Sequence, residues 1–525
     1  MSSLLPPPLA RLLLLSSAVA LPLAAAPTAE WPQWRGPQRN GIATGDAHLP
    51  EELNEERGLE KIWETGEEIP SDHYGGHGSV AVAGGRVYLS VVWHRDEPTE
   101  TRRIDGDVLS KLDYRGTGSL PDEIIEKMET DRLGLSRRLR GEALEQWARE
   151  WVETHIDEKT QLSLGGWIIG RFKKGANAIP LPVYDTLRTV SNRVFENQAA
   201  IEAWIDEQGF DPSVRDRIVQ AIPNTKKVAD DVVLCLDAET GSELWRFQFA
   251  GYPSGRASSS TPAVVDGKVY AALSEHLYCL DAESGDMVWS SPLEGKKGPA
   301  SSPLVDGGRV YLLENRLTAF DAASGEVVWS STEAKGSNSS PVVWNDLVIA
   351  NSQGKVLGID SNNGETVWSL PGGGDATPVV ADDVLLVLST LEGRNLAAYD
   401  LGEGEPEERW SIGFLARRYS GSPLVYEGAV YHLCGDRHLC LDLESGEILW
   451  EREAQSSISS PLLADGKILV YENRGGFLSM IRAYPGDYQD LGRAKVGALY
   501  CASPAIVGDT IYLRTAKSVA AFRFR

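Results

Sequence analysis

Short hydrophobic segments alternate with turn residues from residue 235 to the end of the chain. In SSTPAVVDGKVYAALSEHLYCLD (259–281), three apolar stretches are separated by an Asp-Gly pair and by a Ser-Glu-His sequence. Each stretch has the length and the β-branched and aromatic content of a strand, and the breaks carry turn-forming residues. The pattern predicts antiparallel strands joined by short hairpins.

This unit is repeated along the chain, and two landmarks set its period. One is an Asp-Gly turn followed by Trp, in CLDAETGSELW (235–245), CLDAESGDMVW (279–289), AFDAASGEVVW (319–329), GIDSNNGETVW (358–368), AYDLGEGEPEERW (398–410) and CLDLESGEILW (440–450). The other is a small residue followed by Pro, at Pro262, Pro303, Pro341, Pro378, Pro423, Pro461 and Pro504. A period of about 40 residues with four short strands per unit is typical of a β-propeller. The repeated Trp residues are expected to pack between neighbouring blades rather than to act in catalysis.

The landmarks also give the number of blades. Seven units begin at the Pro positions, and GHGSVAVAGGRVYLSVVW (76–93) is an eighth start with Val80 in place of Pro. The last unit, 503–525, stops one strand early and lacks its Trp, whereas LEKIWET (59–65) is a strand without a unit. We therefore predict an all-β fold, an eight-bladed β-propeller of four-stranded blades whose N-terminal strand closes the last blade.

Residues 94–228 interrupt blade one between its second and third strands. Segments 121–133, 136–157, 184–208 and 211–222 have helical spacing of apolar residues, so this insertion is predicted to be α-helical. In a four-stranded meander, the connection between strands two and three lies at the same end as the blade-to-blade loops. We expect the insertion to cover the channel mouth as a lid, and the alternative is a helical decoration packed on the side of blade one.

Composition and the N-terminal segment narrow the class of protein. The 525 residues are 42% hydrophobic and carry a net charge of −24, which excludes a disordered chain and disfavours nucleic-acid binding. Arg11 precedes an apolar run from Leu12 to Leu23 that is too short to span a bilayer, so residues 1–29 are expected to be a signal peptide. No Cys precedes Cys235, so no lipid anchor is expected.

These expectations fix the domain boundaries and the compartment. The signal peptide is followed by 30–93, which holds a leader, the closing strand and the start of blade one. The helical insertion (94–228) and the rest of the propeller (229–525) complete the chain. The mature protein is expected to be periplasmic or secreted, and any position near a membrane would be held without a lipid anchor.

The repeat, with its motif A-x-D-x-x-x-G-x-x-x-W, resembles that of the pyrroloquinoline quinone (PQQ) type of propeller over 31–93 and 229–525. The segment WPQWRGPQRNG (31–41) is similar to the leader of secreted bacterial members of that family. The resemblance implies either a dehydrogenase with PQQ and Ca²⁺ or a binding propeller without quinone, such as the outer-membrane assembly factor BamB. The dehydrogenases have an adjacent Cys pair and a Glu/Asn/Asp calcium set, and neither can be aligned with this chain.

Basic residues are concentrated in the predicted blade-to-blade loops. They are Arg256, Lys296, Lys297, Lys335, Arg417 and Arg418, with Asp72 and Asp375 as the acidic residues of the same loops and Asn338 as an additional hydrogen-bond donor. If the first strand of each blade is innermost, these residues surround the channel mouth and would attract a small anionic ligand or an anionic partner, PQQ included. The alternative is that they are solvated loop charges.

No catalytic residues and no metal site are predicted. The chain has no adjacent Cys pair and no C-x-x-C-H haem motif, and His73, His77 and His94 have no recognised metal-ligand spacing. The sequence favours an exported, non-catalytic interaction platform with a protein partner or an anionic ligand at the channel mouth. The alternatives are a PQQ- and calcium-dependent oxidoreductase with a divergent site and, more distantly, an enzyme acting on sugar polymers.

Overall fold

The computed structural model describes residues 30–45, 47–54, 58–71, 76–136, 138–253, 257–295, 298–416 and 419–525. The expected signal peptide lies outside the described residues. The chain forms eight four-stranded antiparallel sheets, which is the arrangement of a β-propeller. The strand pattern predicted from the repeats is thereby confirmed.

The strands of the first half follow the repeats closely. After β1 (Leu59–Glu64), sheet one holds β2 (Ala81–Ala83), β3 (Arg86–Pro98), β4 (Thr225–Asp237) and β5 (Glu243–Pro253). Sheet two holds β6 (Ala263–Val265), β7 (Lys268–Ala272), β8 (His276–Asp281) and β9 (Met287–Pro292). Sheet three holds β10 (Leu304–Asp306), β11 (Arg309–Glu314), β12 (Arg316–Asp321) and β13 (Val327–Ser330). Sheet four holds β14 (Val342–Trp344), β15 (Leu347–Ser352), β16 (Lys355–Asp360) and β17 (Thr366–Pro371).

The second half continues in the same way. Sheet five holds β18 (Val379–Ala381), β19 (Val384–Leu388), β20 (Leu396–Asp400) and β21 (Glu407–Ile412). Sheet six holds β22 (Leu424–Tyr426), β23 (Ala429–Cys434), β24 (Arg437–Asp442) and β25 (Ile448–Glu453). Sheet seven holds β26 (Leu462–Ala464), β27 (Lys467–Glu472), β28 (Phe477–Arg482) and β29 (Asp490–Lys495). Sheet eight joins β30 (Ala505–Val507), β31 (Thr510–Arg514) and β32 (Val519–Phe524) to β1, as the orphan strand predicted.

The repeated motif holds each outer strand against the next sheet. The carboxylate of Asp281 accepts hydrogen bonds from the backbone N–H groups of Glu283 and Ser284, which forms the turn before β9. Gly285 in this turn has a φ of +78°, and a Cβ there would lie 2.6 Å from the ring of Trp245 in sheet one. Glycine is therefore required both by the backbone conformation and by the packing of the Trp.

The same Trp residues bond across the sheet boundaries. Trp245 Nε1 donates to the carbonyl of Ala282 at 3.1 Å, and the equivalent bond recurs at several boundaries. The others are Trp63 to Ala238, Trp289 to Ala322, Trp329 to Ser361, Trp410 to Leu443 and Trp450 to Tyr484. The accepting carbonyl usually belongs to the residue after the motif Asp. The expected packing role of the Trp residues is confirmed at these boundaries.

A second series of hydrogen bonds joins the residues that precede the innermost strands. In each of these bonds, a backbone N–H group next to one sheet donates to a Ser or Thr hydroxyl next to another sheet. These bonds are 2.8–3.3 Å long and run from Ser79 N to Thr261, Thr261 N to Ser302, Ser302 N to Ser340, Ser340 N to Thr377, Ser422 N to Ser460, Ser460 N to Ser503 and Ser503 N to Ser79. The residue before each landmark Pro therefore needs to be small and to carry a hydroxyl. The last bond connects sheet eight to sheet one.

The helical insertion projects from sheet one on a long two-stranded ribbon. β3 and β4 pair over 13 residues, whereas the second and third strands of the other sheets have five or six. The insertion contains α1 (Gly106–Lys111), α2 (Asp122–Gly134), α3 (Gly141–His155), α4 (Glu158–Thr160), a π-helix (Gln161–Gly165), α5 (Gly166–Lys174), a 3₁₀ helix (Gly175–Asn177), α6 (Leu181–Arg188), α7 (Gln198–Glu207) and α8 (Pro212–Ala221). Its buried residues form a hydrophobic core distinct from those of the sheets.

The helices differ from the sequence expectation in several places, and α1 lies outside every predicted segment. The segment predicted as one helix, 184–208, is two helices, because the Asn197 side chain accepts from Ala200 N and caps a new start at α7. α5 was not predicted, since glycines at 165, 166 and 170 weaken the helical signal. In the part of the chain that the structure describes, no helix is long and apolar enough to cross a membrane.

Candidate functional site

The N-terminal leader crosses the centre of the sheet arrangement. Trp31 pairs with Val82 of β2 through two backbone hydrogen bonds of 2.8 Å. The carbonyl of Pro32 accepts from Val264 N in β6, and the carbonyl of Gly41 accepts from Leu463 N in β26. The leader is therefore bonded to the innermost strands of sheets one, two and seven.

Two buried arginines hold the leader in place. Arg35 Nη2 donates to the carbonyl of Pro423 at 2.6 Å, and Arg39 donates to the carbonyls of Ser302 and Pro303 at 3.3 and 3.0 Å. Burial lowers the pKa of each to about 9, and for Arg35 the nearby charge of Arg39 adds to the shift. Both guanidinium groups thus donate hydrogen bonds to backbone carbonyls in the protein interior. The role of these two arginines was not predicted from the sequence.

A large cleft, called the mouth cleft below, has a volume of about 1160 Å³. One wall is built from the loops that follow β13, β17 and β21, and from the turns β15–β16 and β19–β20. Asp157, Glu158 and Lys159 of the helical insertion line the same cleft. The insertion leaves sheet one and reaches the loops that lie between sheets three and six.

Buried side-chain amides fix the loops of this wall. Asn351 Nδ2 donates to the carbonyls of Ala376 and Gly374 at 2.7 and 3.1 Å, which ties sheet four to the loop after β17. Asn395 Oδ1 accepts from Phe414 N at 3.0 Å, which ties the β19–β20 loop to the loop after β21. A wall held by buried hydrogen bonds is pre-organised for binding.

The predicted site residues fall into two groups. Lys335 and Asn338 line the mouth cleft, and Asn338 Nδ2 donates to Asp375 Oδ1 at 2.8 Å. Arg256, Lys296, Lys297, Arg417 and Arg418 lie outside the described residues. Among the described residues of the cleft, the charged groups are Lys159 and Lys335 together with Asp157, Glu158, Asp375 and Glu392. This part of the wall therefore carries more negative than positive charge.

A smaller inner pocket of about 290 Å³ adjoins the cleft, and Asn338, Asp375 and Ser420 line both. Trp34 of the leader also lines this pocket, and Asp375 is the only Asp, Glu, Lys or Arg among its described lining residues. An anionic quinone such as PQQ requires cationic partners, so the described lining does not fit that cofactor. Within the described ranges, no group of three or more His, Cys, Asp or Glu residues could hold a metal ion.

Comparison with known proteins gives the family. A family model described as "Outer membrane protein assembly factor BamB" matches residues 229–431 and 374–484. BamB of Escherichia coli is 30% identical over 308 residues, which is 53% of this chain and 74% of that protein. BamB of Marinobacter adhaerens is 30% identical over 140 residues, so this chain spans about a third of that relative's length (34%).

A solved structure, that of BamB from Moraxella catarrhalis, aligns with a TM-score of 0.46 and 19% identity over 57% of this chain and 92% of that one. The match to the Escherichia coli protein is 30% identical and covers 74% of that protein. The chain belongs to the BamB family of PQQ-like repeat proteins.

Proposed function

We propose that this chain is an exported, non-catalytic interaction platform that binds a protein partner in the mouth cleft. The relatives are named as assembly factors for outer membrane proteins, and we extend that role to this chain. In this proposal residues 1–29 direct export to the periplasm or the exterior, residues 94–228 form a lid, and residues 30–93 with 229–525 form one eight-bladed propeller.

The closed ring of eight blades is supported at the boundary between sheet eight and sheet one. There, Ser503 N donates to the Ser79 hydroxyl at 2.8 Å, and Trp63 Nε1 donates to the Ala238 carbonyl at 3.0 Å. Both bonds are of the kinds that join the other sheets to one another. Because a closed ring has no exposed edge at this boundary, its rim offers a continuous surface for a partner.

The observation that carries the binding function is the shared lining of the mouth cleft. Residues from the insertion and from loops of several sheets line one cavity, and the loops are held by buried Asn side chains. A cleft with two independent walls accepts a polypeptide segment between them. Specificity then comes from the insertion, which the repeats alone do not provide.

The basic residues expected at the rim would select an acidic segment of the partner. Lys335 lines the cleft, and Arg417 and Arg418 follow Ala416, which also lines it. Substitution of both residues, Arg417→Glu with Arg418→Glu, should weaken capture of the partner while leaving the melting temperature unchanged. Unchanged capture would show that these basic residues do not contribute to binding of the partner, and the cleft would remain the proposed binding site.

Site-specific photocrosslinking in cells tests the binding surface. A photoreactive amino acid at Gln353, which lines the mouth cleft, should capture an outer membrane assembly protein that mass spectrometry identifies. The matched control places it at Glu283, an exposed turn residue between β8 and β9. Capture of that protein at Glu283 and not at Gln353 would overturn the proposal.

A further inference from the structure

We propose that the inner pocket lined by Trp34 binds a neutral, polyhydroxylated small molecule of about the size of a monosaccharide. This ligand is different from the protein partner proposed for the mouth cleft. The two cavities share Asn338, Asp375 and Ser420, but Trp34 and the hydroxyl groups described below line only the inner pocket. The pocket volume of about 290 Å³ lies at the lower end of the range for small-molecule sites, roughly 300 Å³. A single sugar ring suits this size, whereas a polymer does not.

Hydroxyl groups with unused protons face this pocket. Five of its lining residues belong to the series of hydroxyls that join the innermost strands: Ser79, Ser302, Ser340, Thr377 and Ser460. In each of these bonds the hydroxyl oxygen is the acceptor of a backbone N–H. A hydroxyl has one proton to donate in addition to its lone pairs, and no described residue accepts the proton of any of these five. The pocket thus presents several converging O–H donors.

Trp34 supplies the pocket with an aromatic side chain whose position is held by hydrogen bonds. Trp34 is half-buried, and its Nε1 donates to Thr377 Oγ1 at 3.2 Å. The neighbouring Arg35 is anchored to the Pro423 carbonyl and Trp31 to β2, so the backbone on both sides of the indole is held. An indole face packs against the C–H face of a sugar ring, whose hydroxyls then point towards the walls.

The charge of the lining selects against anions. Asp375 accepts a hydrogen bond from Asn338, and its remaining oxygen lone pairs can accept from ligand hydroxyls. Its carboxylate repels an anionic ligand, and among the described lining residues no Lys or Arg offsets it. Hydroxyl donors, a carboxylate, an amide and an aromatic side chain together complement a neutral polyol better than a carboxylate or a phosphate.

A ligand can enter this pocket from the mouth cleft. The leader, which carries Trp34, is bonded to the innermost strands of sheets one, two and seven. The pocket adjoins the mouth cleft, with which it shares Asn338 and Asp375. A small molecule therefore reaches Trp34 through the mouth.

Saturation-transfer NMR and calorimetry on the mature protein test this site, with D-glucose, N-acetyl-D-glucosamine, D-glucuronate and glycerol as probes. We expect saturation transfer to the ring C–H protons of at least one neutral sugar and one-to-one binding. Glucuronate should bind at least tenfold more weakly than glucose, because its carboxylate faces Asp375. Glycerol, which has no ring face, should show no transfer.

Variants locate the binding. Trp34→Leu removes the aromatic face, and Asp375→Ala removes an exposed acceptor without touching a buried contact; each should weaken sugar binding at least tenfold. Gln353→Ala, in the outer cleft only, is the matched control and should leave sugar affinity unchanged. Absence of transfer to both neutral sugars, or equal affinity of the wild type and Asp375→Ala, would overturn the proposal. Crosslinking at Gln353 is independent of this result, so failure of one proposal is distinguishable from failure of the other.

Discussion

A fully buried histidine in sheet six makes stability depend on pH in a direction that the structure determines. His432 lies in β23, and neither of its ring nitrogens has a hydrogen-bond partner among the described residues. Its ring centroid is 5.2 Å from that of Phe414. Because burial disfavours the charged ring, the pKa of His432 falls from 6.5 to about 4.

This shift gives the size of the effect. The unfolded chain takes up the proton near pH 6.5 and the folded chain only near pH 4, so the stability present above pH 6.5 is lost as the pH falls between these values. The whole shift in pKa corresponds to about 3 kcal/mol in the free energy of unfolding, and the part between pH 6.5 and pH 5 to about 2 kcal/mol.

His432→Leu removes the titrating group and puts an apolar side chain of similar size in its place. Urea unfolding of the wild type and the variant at pH 7.5 and pH 5.0 gives the free energy of unfolding at each pH. Between these two pH values the wild type should lose about 2 kcal/mol more than the variant. His438, whose pKa burial lowers to about 3, remains in both proteins. An equal loss in the two proteins would refute the reasoning, since His432 would then titrate alike in the folded and unfolded chains.

Three further expectations concern packing, the insertion and cofactor binding. Trp289→Ala should lower the free energy of unfolding by about 3–5 kcal/mol, because it deletes a buried ring that bonds to the next sheet; an unchanged melting temperature would contradict the packing role. Glu129→Ala should destabilise the insertion by about 3–5 kcal/mol, because Arg132 and Arg171 each donate to this carboxylate at 2.6 Å and would stay buried without it. Limited proteolysis within 94–228 measures that loss, and resistance equal to the wild type would disprove it. Calorimetric titration with PQQ, with and without Ca²⁺, should give no detectable heat, and tight, calcium-dependent, one-to-one binding would instead support the oxidoreductase alternative.

Local repetition made the sheets predictable. Each Asp-Gly turn and each Trp recurs at a fixed spacing, so the strands, the number of sheets and the place of β1 beside β32 follow from the sequence. The position of the insertion between β3 and β4 is likewise a break in a regular pattern. The prediction of one helix over 184–208 was wrong, because the Asn197 side chain caps the start of a separate helix and the apolar spacing does not show this.

The inner site was not predictable because its contacts join distant parts of the chain. Arg35 bonds to a carbonyl 388 positions away and Trp34 to a hydroxyl 343 positions away, and no local pattern reports either partner. The sequence shows that a small residue precedes each landmark Pro. The hydrogen bond between its hydroxyl and another sheet depends on how the sheets are arranged, so it could not be predicted. The position of Lys335 and Asn338 in loops that line the cleft could be predicted, because blade-to-blade loops can be located from the repeat alone.

The pairing of β1 with β32 affects how the chain folds. The hydrogen bond between Ser518 and Glu64 connects residues 454 positions apart, and the leader is bonded to sheets built from the second half of the sequence. When the N-terminus emerges first, β1 has no partner strand until almost the whole polypeptide has followed. Closing so long a loop carries a large entropic cost and slows the final step. β1 therefore spends the folding period exposed to proteolysis and to pairing with other chains, and loss of the last twenty or so residues would remove β32, the strand with which it pairs.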